Sequence, residues 1–457
     1  MNPRPNRRQF LTAAAALAAA PALGQVPASG EVDIAIIGAG AAGIAAARRI
    51  AAAERSYALL EASEKIGGRV TTGTGVFGIA HDRGAHRLSA SGRNPLVALG
   101  RLEGLWLHDP SPIRRLNIGA REARDGEYDD FTAAVRRANR AIIAAGEAGR
   151  DIAAAHALPD LGDWQATVAF VLGPLNTSKD LDQVSTVDFA RAEERADDLV
   201  CREGLGRLIA AAARPLTVSL DTPVRRIDSW GRGQITLETA RGAVRARALI
   251  ITASTNVLVS ERIRFDQPLP KRTADALAAL SLGTYDRVVL DLPGNPFRLM
   301  DDQRVIFKTA DAHTMALVGR IGGTHLAYAE LTGGFGRQLS NAGDAAMTAF
   351  VGDFIASHFG ADAKKRIGRT EAVRWSREPW IMGGVSAAAP GGGANRRVLA
   401  EPVHDRIFFA GEAVHETWWG TVAGAWISGE RAAIAALRQV AGAPSRGGPA
   451  AGKKKNR

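Results

Sequence analysis

Apolar positions change rhythm along the chain, and each rhythm predicts an element. Val32 to Ile37 is apolar apart from Asp33 and runs straight into Gly38-Ala39-Gly40-Ala41-Ala42-Gly43. This predicts a buried strand, a tight glycine turn and an alanine-rich helix from about Ala42 to Ala53. Tyr57 to Leu60 is a second short apolar run, and it ends on Glu61. Strand, GxGxxG, helix, strand and acidic residue occur in the order of a dinucleotide-binding βαβ unit. Gly38 permits the tight turn, Gly40 lets a phosphate approach the backbone, and Gly43 lets the helix pack closely on the sheet. The helix N-terminus offers bare N–H groups to a pyrophosphate. Glu61 lies where a carboxylate can take ribose hydroxyls.

The pattern continues downstream. Leu96, Leu99, Leu102 and Leu105 follow a helical spacing between Gly92 and Asp109, before a short strand. Residues 121 to about 212 read as mainly helical. Thr217–Leu220 reads as a short strand, and 234–238 and 243–251 as further strands. Pro268–Leu280 is an amphipathic helix. Strands at 284–292, 303–308, 313–319 and 326–332 predict a second sheet. Asn341–Phe359 reads as one helix, Val373–Trp375 as a strand end, and Ile407–Glu412 as a strand ending in Gly-Glu. A last helix starts at Gly420 and continues to about Val440.

The first residues fall outside this scheme. Arg4, Arg7 and Arg8 precede an apolar, alanine-rich stretch from Leu11 to Leu23. Asn6-Arg7-Arg8-Gln9-Phe10-Leu11 is similar to a twin-arginine export signal, with cleavage expected after Gly24 or Ala28. That reading sets residues 1–28 apart and sends the chain, by the Tat export machinery, to the periplasm. The remaining length predicts two domains, and 46% hydrophobic residues suffice for their cores. The single cysteine, Cys201, excludes an internal disulfide and cysteine-rich metal sites. The formal charge is +11, but eight positive charges sit in the two ends, which hold no acidic residue. The body keeps a small positive surplus, so no nucleic-acid partner is expected. Residues 441–457 read as a disordered basic tail.

Glu61-Ala62-Ser63-Glu64-Lys65-Ile66-Gly67-Gly68-Arg69-Val70 extends the nucleotide unit, with Gly68 close to the ligand and Arg69 able to face a phosphate. With these residues the sequence resembles the flavin-containing amine oxidases. The likeness runs on through Asp82-Arg83-Gly84-Ala85-His86, Pro223-Val224, Phe409-Ala410-Gly411-Glu412 and Gly420-Thr421-Val422. It implies an α/β fold: an FAD-binding Rossmann-like domain of the glutathione-reductase type, interleaved with an α+β substrate domain. Residues 31–90, 215–265 and 398–438 would form the first domain; residues 91–214 and 266–397 would form the second. The cofactor would contact Gly38, Gly40, Gly43, Glu61, Gly68, Arg69, Gly84, Ala85, His86, Val224, Gly411, Glu412, Thr421 and Val422.

The resemblance implies oxidation of an amine, polyamine or amino acid by hydride transfer to flavin N5. The imine is then hydrolysed to an aldehyde or ketone, and O2 or a periplasmic redox protein takes the electrons. A homodimer is left open. The sequence departs from the family pattern in three ways. Arg287 stands where the family has a lysine near N5, and it has essentially no neutral form; it is a candidate catalytic residue or an arginine of the strand surface. Val385 and Thr421 replace the aromatic pair of monoamine oxidases. Trp380, Trp418, Trp419 or Trp426 could restore part of it, or pack in the core. Gly384 stands where monoamine oxidases attach flavin through cysteine, so non-covalent FAD is expected. His415, near Glu412, could touch substrate or be structural. Trp419, Trp380, His415 and Arg287 form the catalytic candidate set, with Arg93 or Arg374 as a carboxylate clamp for an amino acid. The alternatives are a desaturase or dehydrogenase for a non-amine, and a non-catalytic flavin-binding protein.

Overall fold

The computed structural model describes residues 30–89, 92–111, 115–193, 198–229 and 234–441. The export signal lies outside them, as does the basic tail beyond Ala441. The chain opens with β1 (Gly30–Ile37), α1 (Ala41–Ala52) and β2 (Tyr57–Leu60). Then come α2 (Pro95–Leu102), β3 (Arg115–Ile118), β4 (Arg121–Glu122) and the long helix α3 (Asp125–Glu147). Helices α4 (Gln165–Leu172), α5 (Thr186–Arg191) and α6 (Leu205–Ala213) lead to β5 (Val224–Asp228), β6 (Ile235–Thr239) and β7 (Gly242–Ile251). β8 (Arg264–Phe265) and α7 (Lys271–Ala279) precede β9 (Tyr285–Asp291), β10 (Gln303–Phe307), β11 (Ala316–Gly319) and β12 (Leu326–Thr332). The last elements are α8 (Gly333–Ala342), α9 (Asp344–Phe359), β13 (Thr370–Val373), α10 (Asn395–Ala400), β14 (Ile407–Phe409) and α11 (Val422–Val440).

Two seven-stranded sheets result. The first runs β8-β5-β6-β7-β1-β2, with β14 also paired to β7. β1 lies parallel to both β7 and β2, which explains its unbroken apolar run: both faces are covered. Asp33, fully buried within it, is satisfied by Ser56 and by Arg247 at 3.2 Å. Ile34, Ile36 and Ile250 pack with α1 and α11 on one face; Ala35, Ile37 and Ile251 pack on the other with α7 and α10. The second sheet runs β13-β9-β12-β11-β10-β3-β4. Val288, Leu290, Val305 and Leu331 cover one of its faces with Met347, Val351 and Ile355 of α9.

Three expectations change. Thr217–Leu220 forms no strand; Ser219 makes a single bridge to Leu60, and the chain turns at Asp221, whose φ is +48°. Asn341–Phe359 is broken at Gly343, whose φ of +105° ends α8 and separates it from α9. Helices α2 and α6, read as substrate-domain residues, join α1 in the core of the first sheet through Leu96, Val97, Leu205 and Leu208. Helix α7 likewise gives Ala276 and Leu277 to the first sheet's other face. Apolar stripes, not sequence neighbourhood, decide which sheet a helix joins.

Candidate active site

The turn after β1 is built for close approach. Gly38 has φ +98°, and a Cβ there would sit 2.5 Å from Thr252 Oγ1. A Cβ on Gly43 would sit 1.8 Å from the Gly38 carbonyl oxygen, so α1 presses directly on the turn. Gly40 is different: its nearest neighbour would be Gly67 O, at 3.8 Å. Gly67 donates its N–H to Ala39 O at 2.8 Å, and Gly68 follows at φ +57°. Two glycine turns therefore join into a floor without side chains. Helix α1 starts on this floor with no side-chain cap and no acidic residue in its first turn. Its leading donors remain available to an anion. Glu61 lies under the turn, accepting Ala39 N–H at 2.7 Å and the Ser63 N–H and hydroxyl at 2.9 and 2.8 Å. Thr222 donates its N–H to Glu61 O at 2.8 Å, which draws the segment leading into Val224 alongside.

Arg69 joins this floor to the end of the chain. Its Nη1 donates to Gly384 O at 2.5 Å and to Glu412 Oε1 at 2.9 Å. Glu412 Oε2 accepts from Ser386 Oγ at 2.7 Å and from Gly420 N at 2.9 Å. Burial alone would raise the Glu412 carboxyl, but the Arg69 and Arg396 cations and the Ser386 hydroxyl outweigh it and hold it below the usual carboxylate range. Ser386 Oγ in turn accepts from Arg396 Nη1 at 3.0 Å. Arg396 is bidentate to Asp188, at 2.6 and 2.8 Å, with both side chains out of solvent. Gly411 has φ +139° and open space where a Cβ would stand. Thr421 caps α11, its Oγ1 accepting Gly424 N–H at 2.9 Å, and Val422 is the first helical residue.

The second sheet supplies a polar wall on its face opposite α9. Tyr285 and Arg287 of β9 lie there with Arg304, Tyr328 and Glu330. Tyr285 donates its hydroxyl to Glu330 Oε1 at 2.7 Å, and Arg304 pairs with Glu330 at 3.3 Å. Arg287 is 3% exposed and stacks its guanidinium 4.4 Å from the Tyr328 ring centre. Its Nη1 donates to Asp82 O at 3.4 Å, while its buried Nε has no hydrogen-bond partner. His86 meets Tyr328 edge-to-face at 5.5 Å. Burial, then Arg287, Arg87 and Arg304, hold the His86 imidazolium well below its usual range, so the ring stays neutral. The loop from Asp82 to His86 lies between wall and floor. Ala85 donates its N–H to Arg69 O at 3.0 Å, a Cβ on Gly84 would sit 1.8 Å from that oxygen, and Trp375 Nε1 donates to Arg83 O at 2.9 Å.

Residues 184–437 match the flavin containing amine oxidoreductase family, and residues 36–99 match an NAD(P)-binding Rossmann-like domain. The chain belongs to the flavin-containing amine oxidoreductases. Residues 4–24 match the signal sequence of the twin-arginine translocation pathway, which exports the chain to the periplasm. It is similar to lysine-specific histone demethylase 2 of Homo sapiens, 25% identical over 452 residues, covering 88% of this chain and 53% of that protein. The chain thus spans about half the length of the demethylases it matches. It is also similar to polyamine oxidase 1 of Oryza sativa subsp. japonica, 26% identical, covering 90% of this chain and 98% of that protein. Among solved structures, putrescine oxidase bound to putrescine shares the fold at a TM-score of 0.76 and 19% identity, covering 90% of this chain and all of that one. Cyclohexylamine oxidase from Brevibacterium oxydans IH-35A shares it at 0.74 and 20%, covering 90% of this chain and 99% of that one.

Membership implies an FAD-type cofactor, and the uncapped α1 over a side-chain-free floor fits its pyrophosphate. For this amine oxidoreductase the four catalytic candidates have four different surroundings. Arg287 stands in the polar wall. Trp380 lies beside Arg262, whose guanidinium is 5.9 Å from its ring centre. His415 is a turn cap: its Nδ1 accepts Trp418 N–H at 3.0 Å and Thr417 N–H at 3.3 Å, and burial pulls it down to about 4. Trp419 needs correction. It is 0% exposed in the core under the helical region, with Arg396 4.7 Å above its ring, so it faces no cavity. A bulky ring against the buried guanidinium is better shielded there than beside a ligand. Neither proposed carboxylate clamp is free: Arg93 pairs with Glu193 and Arg374 with Asp344.

Sequence reasoning missed Lys179, Asp188, Ser386, Arg396, Arg304 and Glu330. Lys179 donates to Ser281 Oγ at 2.9 Å and Ala387 O at 2.7 Å, and burial lowers its ammonium to about 8. Glu330 was signalled by a charge within the apolar run Leu326–Leu331, but Lys179, Ser386 and Arg396 lie in polar or small-residue stretches that carry no such signal, and the partners lie up to hundreds of positions away.

Proposed function

We propose that this protein binds FAD non-covalently and oxidises a primary or secondary amine, with O2 or a periplasmic redox protein as acceptor. The observation that carries the reading is the meeting of the glycine floor, Arg69 and the polar wall around one loop, Asp82–His86. FAD supplies the two-electron acceptor for the amine carbon. The chain's residues bind and orient. The α1 donors and Gly40 support the pyrophosphate, and Glu61 the ribose. Glu412 and Gly384 O fix the Arg69 guanidinium beside the cofactor segments. The N-terminus of α11, at Thr421 and Val422, offers further backbone donors.

The wall acts on the substrate's protonation state. An amine must be neutral to release its lone pair into a C=N bond. A buried wall and a guanidinium without a carboxylate partner among the described residues both disfavour ammonium. His86 stays neutral and adds no acid. Non-covalent attachment is supported at position 384, where a Cβ would sit 2.5 Å from Tyr285 Cβ, leaving no room for a cysteine tether.

The test is anaerobic. Purified protein is mixed with a panel of amines, diamines and amino acids while flavin absorbance is followed, and its cofactor is then released with acid. Bleaching by one class and free FAD in the supernatant are expected. Bound FAD that no member bleaches would sink the amine-oxidase reading. Air and an artificial electron acceptor, added separately after bleaching, identify which takes the electrons.

A further inference from the structure

Each carboxylate near the wall is already engaged. Glu330 is the cross-strand partner of Arg287, yet it turns to Arg304 and the Tyr285 hydroxyl. Asp82 accepts from Thr72 Oγ1 at 2.6 Å and Leu205 N at 3.0 Å. Asp198 meets Arg87 at 3.5 Å, and Asp302 meets His108 at 3.2 Å. Among the described residues, Arg287 has no carboxylate within ion-pair distance. It is 3% exposed, stacks on the Tyr328 ring, and among the described residues makes one long hydrogen bond, to a carbonyl. A buried guanidinium in that condition is costly unless an anion completes it.

We propose that the missing anion is the substrate's own carboxylate, so that Arg287 selects amines that carry one, the α-amino acids being the shortest. The proposal rests on the amine-oxidation reading. A carboxylate adjacent to the reacting carbon fits a guanidinium on the wall of the same site, and a planar fork binds it through two N–H groups. The same positive wall repels the second ammonium of a diamine. FAD, once bound, would supply the two-electron acceptor for the hydride of the breaking Cα–H bond. The nitrogen lone pair would form C=N as the hydride leaves, and water would hydrolyse the resulting iminium to a 2-oxo acid and ammonium.

Two measurements on the FAD-loaded protein test this. The first needs no turnover: 3-phenylpropionate, a carboxylate without an amine, is titrated against the flavin spectrum. Saturable binding is expected, weakened about a hundredfold by Arg287→Gln and about tenfold by Arg287→Lys, which keeps the charge but not the fork. No binding to the unaltered protein, or equal binding by Arg287→Gln with FAD content and melting unchanged, would overturn the proposal. The second compares anaerobic bleaching by matched pairs, phenylalanine with phenethylamine and ornithine with putrescine. The acids should react at least a hundredfold faster, and Arg287→Gln should erase the preference. Faster bleaching by the plain amines would refute the carboxylate site and leave amine oxidation standing. If neither pair bleaches, amine oxidation fails, and the titration alone decides the anion site.

Discussion

Gly384 is a residue whose environment answers a chemical question. Its Cβ would stand 2.5 Å from Tyr285 Cβ and 3.0 Å from Tyr285 N. Gly384→Cys should therefore destabilise the protein by about 1–3 kcal/mol through overpacking, and it should form no flavin link. Thermal melting and flavin fluorescence of the denatured band on a gel check both. Lys179 carries a pH signature. Burial, then the Arg396 charge, lowers its ammonium from 10.5 to about 8. Between those values the unfolded chain binds more protons than the folded one, so this group makes stability rise with pH. Relative to Lys179→Met, the unaltered protein should gain up to about 3 kcal/mol from pH 8 to pH 10.5. Parallel pH profiles of unfolding in urea would deny this if the two curves run level. Both features depend on residues brought in from other segments, so neither was legible in the sequence beyond the identity of Gly384.

At the scale of elements, the start of α1 is the part most clearly written in the sequence. The spacing of Gly38, Gly40 and Gly43 gave turn, floor and helix contact, because those requirements are local and steric. Gly43→Ala would push Cβ to 1.8 Å from Gly38 O, a backbone atom that cannot yield without moving β1 or α1. Loss of about 3 kcal/mol and a clear fall in the FAD-to-protein ratio are expected; an unchanged ratio would mean that the floor is not the pyrophosphate seat. Periodicity also located the four strands from 284 to 332, with a shorter β11. It failed at Gly343, where one glycine splits a helical run, and at Thr217–Leu220, where the pairing with β2 stops at the single Ser219–Leu60 bridge.

The whole molecule is fastened by the buried chain Asp188–Arg396–Ser386–Glu412–Arg69, which runs from the helical region through the last segment to the cofactor floor. Arg396→Met should cost about 3–5 kcal/mol, because it leaves Asp188 charged at 0% exposure with no cation beside it and only the Ala388 N–H to bond. The double change Asp188→Leu with Arg396→Leu should recover most of that loss. Equal destabilisation by the single and double variants, in denaturant melts, would contradict the ion-pair account.

The sequence by itself determined the nucleotide unit, the two-sheet plan, the export signal and the family, since these rest on short-range spacing and on motifs read in order. Only the tertiary structure decided which helices cover which sheet, that Trp419 is a core residue under Arg396, and that His415 caps a turn. It alone left Arg287 without a carboxylate among the described residues while Glu330 went to Arg304. Burial and charge pairing are properties of neighbours in space, and residues such as Asp188 and Arg396, 208 positions apart, become neighbours only when the chain has folded.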